Sequence, residues 1–224
     1  PYTQVPFTSV NLAHNSFWGA RLQAAREVTV PLAFSKCESE HRYKNFDMAA
    51  YTLKHPGHPG LKTPEWDVAK IMGLSFDDTD VYKTIEGASY ILQTYPDKKL
   101  KAYIDSVLNI VAAAQEPDGY LYTARTINPE HPHGWSGKKR WEKEEDLSHE
   151  LYNLGHMVDA ACAHYQATGS HKFLDIARRY ADCVCREVGS GSGQTTVVPG
   201  HQIAEMALAR LYTLTGEKRY LDEA

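Results

Sequence analysis

The amino-acid sequence predicts an all-α protein, an α/α toroid of the (α/α)6-barrel type made of repeated helical hairpins. Apolar residues recur at three- and four-residue steps through most of the 224 residues. An internal repeat at an offset of 47 residues aligns Tyr165–Asp175 with Tyr212–Asp222. Each copy carries a glycine where a helix is expected to end, at Gly169 and Gly216. Each copy therefore predicts a helix, a tight turn and a second helix.

Such hairpins build either an open solenoid or a closed barrel. The tetratricopeptide solenoid repeats every 34 residues or so, whereas hairpins of nearly 50 residues with irregular loops favour the barrel. The periodicity supports about seven or eight helices, and a closed barrel of this kind has about twelve. We therefore predict an extended lead-in over residues 1–14 and, over residues 15–224, the N-terminal portion of a barrel domain that is incomplete at its C-terminus.

The first predicted helix is capped by Asn15 or Ser16 and runs to about Cys37, and Pro31 is expected to kink it. A long loop is predicted from Tyr120 to Asp146, a length that is typical of functional loops. The other predicted helices cover residues 45–53 (ended by the segment His55–Gly60), 77–95, 97–116, 147–168, 171–188 and 201–215, and a last one begins near Glu217.

Composition excludes several classes of function. The net charge of -4 gives no basic excess for nucleic acid, and no apolar run approaches the roughly 20 residues of a membrane span. The sequence is compatible with two cellular locations. The protein is expected to be periplasmic or secreted if a signal peptide was removed before Pro1, and cytoplasmic otherwise. The cysteines do not follow the spacing of a structural zinc site, and we predict them to be small buried side chains. They are Cys37, Cys162, Cys183 and Cys185.

Four polar residues at helix starts are the candidate binding residues. His149 and His201 each open a helix, and Arg42 and Asn45 lie where the chain enters a shorter one. In an α/α barrel such positions line one mouth, and imidazole can both donate to and accept from sugar hydroxyls. The alternative is that the histidines bond only to backbone, that Asn45 is a helix cap and that Arg42 is a surface charge.

Other candidates are weaker by position. His156 lies inside a helix, where a single histidine is usually structural. The turn at Asp118-Gly119 is predicted to be a structural elbow, and the charged run 138–145 to be solvated. Glu150, Glu205 and Asp80 have the side chain that a glycosidase needs, but their spacing singles out no catalytic pair.

An ordered set of motifs resembles glycoside hydrolase family 127, the β-L-arabinofuranosidases. They are Asn15-Ser16-Phe17-Trp18 with Arg21, Lys44-Asn45-Phe46, Asp80–Gly87, Gln115–Leu121, Ser148–His156, and Gly200-His201 with the following Ala-Leu-x-Arg-Leu-Tyr-x-x-Thr-Gly. Thr84 departs from the pattern, since the family usually has Trp there.

The resemblance implies a catalytic α/α barrel followed by β-sandwich domains, and hydrolysis of terminal β-L-arabinofuranosides of plant-derived glycans with retention. It also implies a zinc ion bound by one Glu and cysteines, beside a cysteine thiolate nucleophile. None of the four cysteines stands in that context, so catalytic and metal residues are expected outside this chain. The resemblance supports His149 and His201 as sugar ligands, with Asn45 and Arg42 as further candidates.

Two other functions stay open at this stage. A helical-repeat interaction module without catalysis fits the hairpins, and another α/α-barrel sugar enzyme, an epimerase or uronyl hydrolase, fits the histidines and carboxylates. The expected partner is a carbohydrate, an arabinofuranoside-containing glycan, with neither nucleic acid nor membrane. A homo-oligomer is considered as well, because an open barrel exposes the apolar flank of its last helix.

Overall fold

The computed structural model describes residues 4–57 and 73–224 of the chain. The predicted all-α class is confirmed: within these ranges the only β pairing is an isolated bridge between Val188 and Thr195. The helices are α1 (Phe17–Ala24), α2 (Val30–Ser39), α3 (Arg42–Lys54), α4 (Asp78–Thr94), α5 (Lys98–Ala113), α6 (Thr123–Thr126), α7 (Glu150–Thr168), α8 (His171–Glu187), α9 (Ile203–Thr215) and α10 (Lys218–Glu223). No helix in the described part of the chain is long and apolar enough to cross a membrane.

The first predicted helix is two α-helices joined by a π-helical turn, Ala25–Thr29. Ser16 is its cap, with Oγ accepting from the Gly19 N–H at 3.0 Å. Pro31 lies in the first turn of α2, where its ring would clash with the carbonyl four residues earlier in a regular α-helix. The wider π turn directly before it gives that carbonyl room, so the proline is accommodated by a π turn.

The 47-residue repeat produces two turns of the same geometry. Gly169 and Gly216 have φ of 71° and 74°, and each donates its N–H at 2.8 Å to the tyrosine carbonyl four residues earlier. Left-handed φ at this position favours glycine, as predicted. Phe173 and Tyr220 begin the second helix of each hairpin and are fully buried, whereas Leu221 is exposed. The aromatic residue of each pair therefore fastens the hairpin.

Three helices form the inner layer of the toroid. Helix α7 packs between α4 and α9, and α5, α8 and α10 return along the outside. Gly155 of α7 faces α9 so closely that a Cβ there would lie 2.7 Å from the Ile203 side chain and 2.8 Å from its backbone carbon. The absence of a side chain at Gly155 thus lets two inner helices approach each other.

The segment between α5 and α7 is a packed part of the core. It contains the one-turn helix α6, and Tyr120, Tyr122 and Trp141 are buried within it. Gly119 has φ of +100° and leaves no space for a Cβ, which would lie 2.2 Å from the Arg179 carbonyl oxygen, so the Asp118-Gly119 turn is the predicted structural elbow. Helix α3 ends at Lys54, and residues 58–60 of the predicted proline-glycine break lie outside the described ranges.

Candidate functional site

The N-terminal ends of the three inner helices meet at one end of the fold. The rings of Phe76 and His149, which precede α4 and α7, lie 4.8 Å apart. His149 and His201, which precede α7 and α9, lie 5.0 Å apart. The structure therefore brings the two predicted histidines together, although 51 positions separate them in the chain.

A glutamate outside the helix performs the capping of α7. Both carboxylate oxygens of the buried Glu144 accept bonds there, from the Ser148 hydroxyl at 2.8 Å, from the Glu150 N–H at 2.7 Å and from the Leu151 N–H at 3.1 Å. His149 is the residue before the helix and adopts a left-handed conformation, φ 60° and ψ 30°, without using its side chain as a cap. The imidazole therefore takes no part in closing the helix end.

The hydrogen bond of His149 fixes its tautomer. Nδ1 lies 2.6 Å from the Leu147 carbonyl oxygen. A carbonyl only accepts, so Nδ1 carries the proton, and in the neutral ring Nε2 is an acceptor. The predicted alternative of a backbone bond is thus realised at one nitrogen and leaves the other for a ligand.

Tyr152, His156 and Lys83 complete the cluster around the histidine pair. The Tyr152 ring lies 5.1 Å from His201 and 4.5 Å from His156. The Lys83 ammonium donates to the Tyr152 hydroxyl at 2.7 Å, which leaves the Tyr152 proton free to be donated. Burial, with a contribution from the Lys83 charge, lowers the pKa of His156 to about 4, so this ring is neutral at pH 7. We call Phe76, Lys83, His149, Tyr152, His156 and His201 the histidine cluster.

The sequence assigned a binding role to two of these six residues, His149 and His201, and His156 was expected to be structural. Tyr152 and His156 follow His149 by three and seven residues, so helical spacing alone places them on one face of α7 and was an available signal. Phe76 and Lys83 belong to another hairpin, and spacing within the chain does not indicate that they reach α7.

The other two predicted ligands, Arg42 and Asn45, lie at the same end of the fold and differ in their hydrogen bonding. Arg42 uses Nη1 to pair with Asp77 and Nε to pair with Asp80, both at 2.8 Å, and so holds the start of α4. Burial raises the pKa of Asp77 to about 6 despite the opposing effect of Arg42. Asn45 lies inside the first turn of α3 and is fully buried, and its amide makes no hydrogen bond within the described part of the chain. Its position excludes the cap alternative.

The buried carboxylates are structural. Glu150, a candidate by residue type, is fully buried and accepts from the Tyr120 hydroxyl at 2.5 Å and from the Trp141 N–H at 2.9 Å. Burial raises the pKa of Glu150 and of Glu144 to about 7. Solvent does not reach Glu150, so in this conformation it is closed to a substrate.

One group among the described residues has the ligand types of a metal site. Ligand atoms of Asp118, Cys183 and Glu187 lie within 4.8 Å of one another. The Arg140 guanidinium occupies this position, 2.6 Å from Asp118 and 2.7 Å from Glu187. Burial raises the pKa of Cys183 to about 12, so it is a thiol rather than a thiolate. A zinc ion needs deprotonated ligands and would lie beside a fixed cation, so this group does not fit the implied zinc.

The ion pairs of Arg140 show that residues 138–145 are not the solvated run that the sequence predicted. Arg140 also pairs with Glu116 at 2.7 Å, and Glu144 is the buried cap of α7. Charge alternation in the sequence did not distinguish a solvated loop from one whose charges pair with distant residues.

The cysteines were predicted to be small buried side chains. Three of them, Cys37, Cys162 and Cys183, are buried, Cys185 is half-buried, and all four are free thiols.

The chain matches one protein family and is similar to solved structures of that family. Residues 9–224 match the catalytic domain of the β-L-arabinofuranosidases, GH127. A solved GH127 β-arabinofuranosidase is 67% identical, with a TM-score of 0.87 over 98% of this chain and 32% of its own. A GH127 β-L-arabinofuranosidase from Geobacillus stearothermophilus T6 is 34% identical, with a TM-score of 0.80 over 96% of this chain and 31% of its own.

A third relative is similar in sequence. The non-reducing end β-L-arabinofuranosidase of Bifidobacterium longum subsp. longum is 42% identical over 149 residues, which cover 66% of this chain and 22% of that protein. The chain thus spans at most about a third of the length of any of these relatives.

Proposed function

The chain belongs to glycoside hydrolase family 127, and on this premise we propose that it forms the sugar-binding part of a retaining β-L-arabinofuranosidase. The observation that carries the proposal is the 5.0 Å approach of His149 and His201 at the meeting point of the inner-helix N-termini. The substrate class is a glycan with terminal β-L-arabinofuranose.

The histidine cluster has the chemistry for holding a furanose. The Nε2 atom of His149 accepts from a sugar hydroxyl, and the Tyr152 hydroxyl has a proton to donate. The N-terminal ends of helices carry partial positive charge, which favours the lone pairs of sugar oxygens. Phe76 supplies an apolar face against which a ring can lie. These groups orient the sugar, and orientation lowers the entropic part of a reaction barrier.

The bond-breaking groups are proposed to come from outside this chain. The described residues hold no carboxylate pair open to a ligand in the histidine cluster, and the Asp118 group does not fit zinc. We therefore place the zinc ion, the nucleophile and the acid/base in the rest of the full-length protein.

The test is hydrolysis of p-nitrophenyl β-L-arabinofuranoside by the full-length protein. His149→Ala and His201→Ala are each expected to lower kcat/KM by about tenfold to a hundredfold, because each leaves a sugar hydroxyl without its hydrogen-bond partner, at a cost of about 1–3 kcal/mol. His131→Ala, an exposed histidine between α6 and α7, is the control and is expected to be neutral. Wild-type kcat/KM in both cluster variants contradicts the site.

A further inference from the structure

An open cavity of about 270 Å³ lies between α2 and α4, beside Lys83 of the histidine cluster. Its polar lining comes from Lys36, Glu40, Arg42, Asp80, Lys83 and Thr84. Pockets for drug-sized ligands have volumes of about 300–1,000 Å³, so this one has the size for a single sugar ring. Its wall combines apolar surface with donors from Lys36, Arg42 and Lys83 and acceptors from Glu40 and Asp80, a combination that a sugar ring can match with its C–H and O–H groups.

Lys83 connects the cavity with the histidine cluster. Its side chain lines the cavity, while its ammonium bonds to the Tyr152 hydroxyl at 2.7 Å and to the Thr79 hydroxyl at 3.2 Å. The Tyr152 ring in turn lies 5.1 Å from His201. A ligand unit in the cavity and a terminal sugar at the histidine pair are therefore neighbours on either side of one lysine.

The cationic side chains that line the cavity differ in whether a carboxylate pairs with them. Lys36 pairs with Glu40 at 3.6 Å, and Arg42 pairs with both Asp77 and Asp80 at 2.8 Å. Lys83 contacts two hydroxyls, and no carboxylate of the described residues lies within ion-pair distance of it. An ammonium has three N–H donors, so one remains for a ligand, and an anionic acceptor adds the attraction of opposite charges to that hydrogen bond.

We propose that this cavity is a second carbohydrate subsite that takes an acidic sugar unit, a uronate, with Lys83 binding its carboxylate. The inference rests on the proposed function, since the uronate would be the unit next to the terminal arabinofuranose. A neutral hexose places a CH2OH group where the uronate has its carboxylate. Such a sugar would fit the cavity and lose the ionic hydrogen bond.

The experiment is calorimetric titration of the full-length protein with methyl galacturonoside and methyl galactoside, which differ only at C6. The galacturonoside is expected to bind about tenfold more tightly at low ionic strength. Lys83→Met should abolish this preference, Lys83→Arg should keep most of it, and Thr84→Trp should weaken both sugars by filling the cavity. Lys99→Met removes an exposed charge in the first turn of α5, and its preference should equal that of the wild type.

Equal affinity for the two sugars, no detectable galacturonoside binding at tens of millimolar, or an unchanged preference in Lys83→Met would each overturn the subsite. Arabinofuranoside hydrolysis is measured on the same preparations. Loss of hydrolysis with intact galacturonoside binding contradicts the proposed function and supports the subsite. Intact hydrolysis by a protein that binds the two sugars equally supports the proposed function and contradicts the subsite.

Discussion

At the scale of single residues, function at His149 depends on Glu144. Because Glu144 caps α7, the histidine at the helix start has no capping role and keeps Nε2 for a ligand. The sequence indicated that a histidine lies at a helix start. It did not indicate which residue satisfies the helix N–H groups, because the cap comes from six residues before Glu150 and depends on how the chain folds back.

The buried Glu150 predicts a pH dependence of stability. Burial raises its pKa from 4.5 to about 7 in the folded protein, so between these values the folded state binds more protons than the unfolded state. The free energy of unfolding therefore falls as pH rises through this window. Glu150→Gln should make this fall in unfolding free energy less steep, by at most about 3–4 kcal/mol over the window, since one pKa unit corresponds to about 1.4 kcal/mol.

The measurement is the unfolding temperature of the full-length protein between pH 5 and pH 8. Glu130→Gln, at an exposed position of the same connecting segment, serves as the control and should keep the wild-type slope. An identical slope in Glu150→Gln would show that Glu150 does not titrate in this range.

At the scale of elements, the hairpins were predictable because their signals are local. Glycine after a helix, an aromatic residue at the start of the next helix and three- to four-residue periodicity all lie within one repeat. The order of the helices and the turns at Gly169 and Gly216 follow from them. The packed segment 120–146 was not predictable in this way, since its anchors lie in distant elements: Asp78 holds Thr123, and Glu187 holds Trp141.

Gly155 is predicted to set the distance between two inner helices. In Gly155→Ala the new methyl would meet Ile203 and Ala204 at under 3.0 Å, so α7 and α9 must separate. His149 and His201 would separate with them, and KM for the arabinofuranoside should rise about tenfold or more while the unfolding temperature falls.

Gly87→Ala is the matched control for this substitution. Gly87 also lies inside a helix, α4, and nothing lies within 4 Å of a Cβ placed there. Alanine should stabilise that helix by about 0.5–1 kcal/mol. If both variants behave alike, helix separation does not determine the site.

Arg140 is predicted to fasten the segment between α5 and α7 to α8. It pairs with Glu116, Asp118 and Glu187, and Arg140→Met would leave these three carboxylates without their common cation. Breaking a fully buried ion pair costs about 3–5 kcal/mol, and the partial exposure here reduces the expected cost to about 2–3 kcal/mol. Urea denaturation checks this value, with the exposed Lys139→Met as control; equal midpoints for the two variants contradict the role.

At the scale of the whole molecule, the toroid explains why distant residues form one site. Parallel inner helices bring their N-termini to the same end, so α4, α7 and α9 each contribute to the histidine cluster. The sequence predicted the shared mouth from fold class. The sequence did not predict which residues of different hairpins contact each other in the cluster. Those contacts depend on how one hairpin packs against the next.

Terminal arabinofuranose is proposed to bind at the histidine cluster. The most direct test is a crystal structure of the full-length protein with bound L-arabinose. We predict sugar hydroxyls at about 2.6–3.2 Å from Nε2 of His149 and from a ring nitrogen of His201, the range of ordinary hydrogen bonds in an occupied site. An arabinose bound elsewhere, with both imidazoles in contact only with solvent, would rule out the histidine cluster as the sugar-binding site.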